Sequence, residues 1–331
     1  MNTRKIEDMK EAASLLLEGE VVAFPTETVY GLGALATCDN AIGKIFTAKG
    51  RPSDNPLIVH IASEKQLEQV VKEVSEDART LMKAFWPGPL TIVLPKAAGI
   101  SNVTTAGLET VGVRVPSHPV ALALLKEVNQ PIAAPSANIS GRPSPTKAVH
   151  VMEDLAGKIP AVVDGGACEV GLESTVIDCS GKRPVILRPG HVTQEEIEAL
   201  IGPVSLSNPD VENSPKSPGM KYKHYAPKAP LVLIDGDEQA FLTAISKERE
   251  LGKTVGILCP LEEMGQQQVE VEIPFGSLHK DKSFSFDLYD ALRKSDEFEV
   301  DIIFVKLNSQ IQKDVALMNR LYKASGGKIQ R

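Results

Sequence analysis

Residues 21–33, Val-Val-Ala-Phe-Pro-Thr-Glu-Thr-Val-Tyr-Gly-Leu-Gly, decide how this chain is read. The run VVAF is short and apolar, and it ends at Pro25, where the backbone loses a donor; it predicts a buried strand that breaks at the proline. Upstream, Met9, Ala12, Ala13, Leu16 and Leu17 recur at helical spacing, with Gly19 placed to cap them. Downstream, Ile42, Ile45 and Phe46 mark a short helix that delivers Lys49 at its end. The alternation continues outward from there. LIVHI (57–61) predicts a strand presenting His60, and the stripe Leu67, Val70, Val71 and Val74 predicts a helix. LTIVL (90–94), VGVRV (111–115) and PIAA (131–134) predict further strands. Thr193 and Glu196 form a capping box that opens the helix EEIEALI, which Gly202 stops. Periodicity thus gives an α/β protein and leaves the topology open.

At 331 residues the chain is long for one core, so two domains are expected. Apolar content of 42% supports buried cores, and a net charge of −7 gives the whole chain no electrostatic footprint for nucleic acid, although a local basic cleft is compatible with it. Cys38, Cys168, Cys179 and Cys259 show neither C-x-x-C spacing nor a histidine at metal-ligand spacing, so they read as reduced, buried side chains and no protein metal site is expected. The N-terminal stretch is charged and amphipathic, unlike a signal peptide, and no apolar run approaches the ~20 residues of a membrane span. A cytoplasmic protein without membrane contact is expected.

The stretch from Ser205 to Pro227 is rich in Ser, Pro and Asn, lacks a hydrophobic period and reads as linker. It ends in Lys221, Tyr222, Lys223, His224 and Tyr225, which suit either a solvated tether or stacking on a base beside phosphate. From Leu231 the alternation restarts with LVLID, a helix through Phe241 and Ile245, TVGIL, VDIIFVKL and a final helix. No G-x-G-x-x-G accompanies these strands.

Two polar clusters carry chemistry. Lys49 and Arg51 flank Gly50, a point charge beside a planar fork, the pair wanted around a polyphosphate. Ser136 and Asn138 follow the run IAAP and point the same way if extended. Taken singly, the first also reads as a solvated loop and the second as a turn. Arg114 and Arg188 lie in otherwise apolar strands, where an unpaired cation is costly, which argues for an anionic ligand.

With FPTETVYGLG, the segments AKGRPSDNPL, WPGPLTIVL, VGVRVPSHP, APSANISGRPSPT, GLESTVID and ILRPG resemble, in order from about residue 6 to 202, the YrdC/TsaC family of threonylcarbamoyl-AMP synthases. SPGMKYKHYAP and ALMNRLYKASG resemble its long, two-domain form. The resemblance implies a YrdC-like twisted open sheet with helices around a concave, positively lined cavity in residues 1–204. It further implies a linker crossing the active site in 205–229 and a smaller Rossmann-like α/β domain in 230–331. The implied reaction joins L-threonine, bicarbonate or CO2, and ATP into L-threonylcarbamoyl-AMP and pyrophosphate. That product serves tRNA threonylcarbamoyladenosine formation through a downstream transferase complex, without direct tRNA binding.

By the same resemblance Lys49 and Arg51 are catalytic, and Arg51, Asn55, Thr110, Ser136, Asn138, Ser144, Arg188 and Tyr225 bind ATP. Thr26, Thr28, His60, Arg114, Ala134 and Ser174 surround L-threonine, with Mg²⁺ held mainly by the ATP phosphates. His60 also reads as a core histidine and Ser174 as a strand-end cap. Two rival classes are weighed: an RNA-binding module of the same fold, and a hydrogenase-maturation carbamoyl transferase. The second would call for cysteine pairs and an acylphosphatase-like segment, which the sequence lacks.

Overall fold

A computed structural model describes residues 2–207, 225–267 and 269–331. Lys221, Tyr222, Lys223 and His224 lie outside the described residues. The described chain divides into two compact units, residues 2–140 with 145–207, and residues 141–144 with 225–267 and 269–331.

The first unit opens with β1 (Arg4–Ile6), α1 (Met9–Leu17), β2 (Val22–Phe24), β3 (Gly31–Leu35) and α2 (Asp39–Lys49). It continues with β4 (Ile58–His60), α3 (Glu76–Phe85), β5 (Leu90–Pro95), β6 (Thr110–Arg114), α4 (Pro119–Val128) and β7 (Ile132–Ala133). α5 (Ala148–Leu155), β8 (Ala161–Val163), β9 (Thr175–Asp178), β10 (Val185–Arg188), α6 (Gln194–Ile201) and β11 (Ser205–Leu206) complete it. The strands form one mixed sheet in the order β1-β8-β2-β3-β7-β4-β6-β5-β9-β10-β11.

Local chemistry explains the boundaries. The Asp8 carboxylate caps α1 by accepting from the Lys10 N–H, and Gly50 ends α2 in the left-handed region at φ 61°. The capping box at Thr193 and Glu196 is reciprocal, and Gly202 caps α6. The expected helix over Leu67–Val74 is only a 3-10 segment, Glu64–Gln69. Val71 instead bridges Lys96 in extended pairing, while Val70 and Val71 enter the core; β-branched side chains favour that choice. Ser205 and Leu206, expected as linker, pair with β10 as an edge strand.

The two faces of this sheet differ. One is covered along its length by α2, α3, α5 and α6, which contribute Ile42, Ile45, Leu81, Val151 and Ile197 to a large core. On the other, α1 and α4 bury Leu16, Leu124 and Leu125 against Val22, Phe24, Ile132 and Val163, at the β1-to-β7 end.

The second unit holds β12 (Leu231–Ile234), α7 (Glu238–Glu250), β13 (Val255–Cys259), β14 (Val271–Pro274) and α8 (Ser283–Ser295). β15 (Ile302–Lys306), α9 (Ser309–Lys313), α10 (Val315–Ala324) and β16 (Ile329–Gln330) follow. Its sheet, ordered β14-β13-β15-β12-β16, is parallel throughout, which explains strands as uniformly apolar as Leu231–Ile234. No helix among the described residues is long and apolar enough to cross a membrane.

Candidate active site

β6 sends Val111 and Val113 into the large core and Thr110, Gly112 and Arg114 to the opposite face. β4 does the same with Val59 against Ile58 and His60, and the register sets His60 beside Arg114 and Ile58 beside Gly112. Ile58, Val93, Val176 and Leu187 form an apolar floor to which only strands contribute. A cleft lined by Ile58, Thr91, Val93, Thr110, Gly112 and Val176 lies on it. Among the described residues no helix joins this cluster, and this half of the sheet face carries the candidate residues of β4, β6 and β10.

Arg114 is 3% exposed, and its guanidinium is held from three sides. Nη2 meets Glu27 Oε1 at 2.6 Å, Nη1 donates to Thr28 Oγ1 at 2.9 Å, and Nε donates to the Gly88 carbonyl at 3.1 Å. Arg114 thus needs no ligand to balance its charge, which corrects the argument from an unpaired cation. Burial opposes ionisation of Glu27, but the adjacent guanidinium outweighs it and holds the carboxyl below its ordinary range. Thr26 shapes the loop: its hydroxyl accepts from the Thr28 and Val29 N–H groups and donates to the Val29 carbonyl.

His60 packs edge-on against Phe24 and is pressed down to about 3 by burial and by the Arg114 charge. It is therefore a neutral imidazole at physiological pH, with Nδ1 buried and lacking a hydrogen-bond partner among the described residues. The Ala134 N–H is donated to the Ile58 carbonyl, so a ligand at this point would meet the Ala134 carbonyl.

A bulge places Arg188. Ile186 pairs with Ile177, yet Arg188 pairs with Val176, so Leu187 is an extra residue in β10. In a regular ladder Arg188 would follow Ile186 into the large core; the extra residue turns it to the face of Val176 instead. There its Nη2 donates to the Ser174 carbonyl at 2.9 Å and hydroxyl at 3.1 Å. The Ser174 hydroxyl also meets Thr91 Oγ1 at 2.8 Å, so Ser174 is tied into the site rather than capping a strand end.

Lys49 arrives at the end of α2 and is 2% exposed. Its ammonium donates to the carbonyls of Ser136 at 2.6 Å and Asn138 at 2.5 Å, and the Ser136 hydroxyl donates to Asn138 Oδ1 at 2.5 Å. The two clusters singled out from sequence are thus one assembly, a buried cation beneath a backbone loop. That loop is laced to β3 by the Gly31–Ser136 bridge and the Ala137 N–H to Tyr30 carbonyl bond. Arg51 lies past the cap with Nη2 3.4 Å from the Pro56 carbonyl, and Asn55 is buried with Oδ1 unpartnered among the described residues.

Two expected nucleotide ligands, Ser144 and Tyr225, fall in the second unit. Tyr225 adopts φ 66°, is 4% exposed, stacks on Tyr289 with centroids 5.3 Å apart, and lies 5.8 Å from the Arg320 guanidinium carbon. Its ring already has aromatic and cationic neighbours, so an aromatic at this position needs no base to explain it. The residue that sequence reasoning missed is Glu27. A signal was present: Glu27 is the lone charged residue between Glu20 and Asp39, as Arg114 is within VGVRV.

A family model described as telomere recombination matches residues 14–190, and one described as threonylcarbamoyl-AMP synthase, C-terminal domain, matches residues 192–326. A threonylcarbamoyl-AMP synthase of Bacillus subtilis is 51% identical over 97% of this chain and 94% of its own. One of Schizosaccharomyces pombe is 40% identical over 96% and 88%. The crystal structure of Pyrococcus abyssi Sua5 complexed with L-threonine superposes with a TM-score of 0.91 at 45% identity, covering 99% of this chain and 98% of that one. The chain belongs to the threonylcarbamoyl-AMP synthase family, in its two-domain form.

Proposed function

We propose that this chain is an L-threonylcarbamoyl-AMP synthase. The observation that carries the reading is the pairing of Arg114 and neutral His60 at adjacent register positions on one face of the sheet. A guanidinium fork suits a carboxylate, and a neutral imidazole can accept a hydrogen bond from an amine or hydroxyl; L-threonine has all three groups. The Pyrococcus relative, complexed with L-threonine, supports the same assignment. Thr26, Thr28, Ala134 and Ser174 would complete the amino-acid pocket.

The threonine amine, losing a proton, bonds to the carbon of CO2 to give a carbamate; from bicarbonate the same bond forms as a C–O bond breaks and water leaves. A carbamate oxygen then attacks the α-phosphorus of ATP; the new P–O bond forms as the bond to the β-phosphate breaks and pyrophosphate leaves. This step needs alignment and positive charge rather than an enzyme nucleophile. Arg51 and Arg188 would meet phosphate oxygens, while Lys49 would supply charge from beneath the Ser136–Asn138 loop. Asn55, Thr110, Ser136 and Asn138 would serve the nucleotide. Among the described residues no group of three or more His, Cys, Asp or Glu could hold a metal. A Mg²⁺ ion would be held mainly by the ATP phosphates. The reaction would run in the cytoplasm, and the product would pass to a tRNA threonylcarbamoyl transferase complex.

Pyrophosphate release tests the reading: it should require ATP, bicarbonate and L-threonine together. Valine should be a poor substitute, because it leaves the groups that pair the hydroxyl unsatisfied, and serine a weak one. Equal release with valine, or release without any amino acid, would overturn it.

A further inference from the structure

Thr91 is a polar residue set in apolar surroundings. Leu90 and Ile92, its neighbours on β5, enter the large core, so Thr91 faces the other way, with Val93 and, across the ladder, Val176. It lines the cleft and is 0% exposed. Its methyl lies over Gly112, where a Cβ would come within 3.2 Å of Thr91 Cγ2. A β-branched side chain is stiff at χ1, so seating the methyl there directs the hydroxyl to its one partner among the described residues, Ser174 Oγ at 2.8 Å.

The protons of this pair do not balance. A guanidinium only donates, and Arg188 Nη2 donates to Ser174 Oγ at 3.1 Å, so the Ser174 hydroxyl is an acceptor there. Nη2 and Nε also hold the Ser174 carbonyl, at 2.9 and 3.2 Å. Thr91 and Ser174 bring two hydroxyl protons to the single bond between them, and neither hydroxyl meets another acceptor among the described residues. One proton is left over whichever way that bond points. Neither residue is more than 1% exposed, and a buried donor is costly to leave unpaired. The cation decides which hydroxyl keeps it. Accepting from a guanidinium strengthens a hydroxyl as a donor, so the chain runs from Arg188 to Ser174 to Thr91 and leaves the spare proton on Thr91, at the cleft.

We propose that Thr91 is the outlet of a hydrogen-bond relay headed by Arg188, and that its hydroxyl donates to a negatively charged substrate oxygen, a carboxylate or a phosphate oxygen. The inference rests on the reading of this cleft as part of the synthase site. An ammonium cannot take the proton, since it has no acceptor, whereas an anionic oxygen takes it in a charge-assisted bond. Ser174 is the positioning residue of the relay, and every member lies within the first unit.

Thr91→Val removes the hydroxyl and keeps the branched shape. In the full-length protein it should lower kcat/KM for pyrophosphate release about ten- to hundredfold, the range of a hydrogen bond to a charged group, and Thr91→Ser should recover to within about threefold of the wild type. A raised KM for L-threonine assigns the oxygen to the amino-acid carboxylate, and a raised KM for ATP assigns it to phosphate. A lowered kcat with both KM values unchanged assigns it to the carbamate, which exists only during turnover. Folded Thr91→Val within about twofold of the wild type overturns the inference, because the spare proton then meets water alone. Thr91→Ser as impaired as Thr91→Val also overturns it, because the methyl is then the working group. Binding without turnover keeps the two readings apart: L-threonine or ATP should raise the urea midpoint, read by Trp86, less in Thr91→Val than in the wild type. A wild type that releases no pyrophosphate from ATP, bicarbonate and L-threonine removes the synthase reading, and equal midpoint rises in the two proteins remove the relay.

Discussion

Replacing Glu27 with Gln should destabilise the N-terminal unit far more than an isosteric change ordinarily does. Glu27 is 2% exposed and Arg114 3%, and the guanidinium's other partners described above, the Thr28 hydroxyl and the Gly88 carbonyl, are neutral. Removing the carboxylate charge leaves a buried cation uncompensated, which costs about 3–5 kcal/mol. At a urea dependence of roughly 2–3 kcal/mol per molar, the midpoint should fall by about 1–2 M. Trp86 is the chain's single tryptophan, and its indole donates to the Leu90 carbonyl at 2.8 Å, so its fluorescence reports this unit alone. The Glu27→Gln/Arg114→Met double variant should be more stable than the summed single losses imply, by at least about 2 kcal/mol. L-Threonine should then raise the midpoint of Glu27→Gln more than that of the wild type, because the substrate carboxylate supplies the missing charge. Midpoints that shift by under about 0.3 M, or single losses that simply add, would refute the coupling.

Arg51→Ala should lower pyrophosphate release on the order of a hundredfold with the circular dichroism unchanged, and a folded variant of full activity would remove Arg51 from phosphate contact. His60 binds a proton below about 6.5 in the unfolded chain but only near 3 in the native one, so stability should fall as pH drops through that window. By pH 5 this amounts to about 2 kcal/mol, which His60→Gln should abolish; parallel pH profiles of the two proteins by Trp86 fluorescence would contradict it. Gly190→Ala should cost about 2–4 kcal/mol by the same probe, since a Cβ there would overlap the Thr175 nitrogen and lie 2.6 Å from the Ser174 carbonyl carbon. A near-neutral effect would show that the Ser174 strand can retreat.

Much of this was legible in the chain because it is local. Alternation in VGVRV announces that Arg114 leaves the core, and Thr193 with Glu196 announces a helix start. What escaped the reading depends on distant partners. The stripe Leu67–Val74 has helical spacing, yet pairing with Lys96 decides its form. Glu27 and Arg114 are each legible as a lone charge, but only folding shows that they answer one another. Lys49 and the Ser136–Asn138 turn were two motifs in sequence and are one object in space. The affiliation of Gly141–Ser144 with the second unit has no compositional mark, because its contacts are made by residues more than eighty positions away.

The bulge in β10 sets the direction of Arg188 through the path of the backbone, not through the identity of a residue. Substituting Leu187 by another apolar residue preserves that path. An unbulged strand of the same sequence would set Leu187 opposite Val176 and turn the guanidinium toward the helices, while every letter of the ILRPG motif survived. Deleting Leu187, by contrast, would bring Arg188 directly after Ile186 and keep it opposite Val176. The direction of this cation is thus invisible in the letters of the motif and is written only in the pairing of its strand.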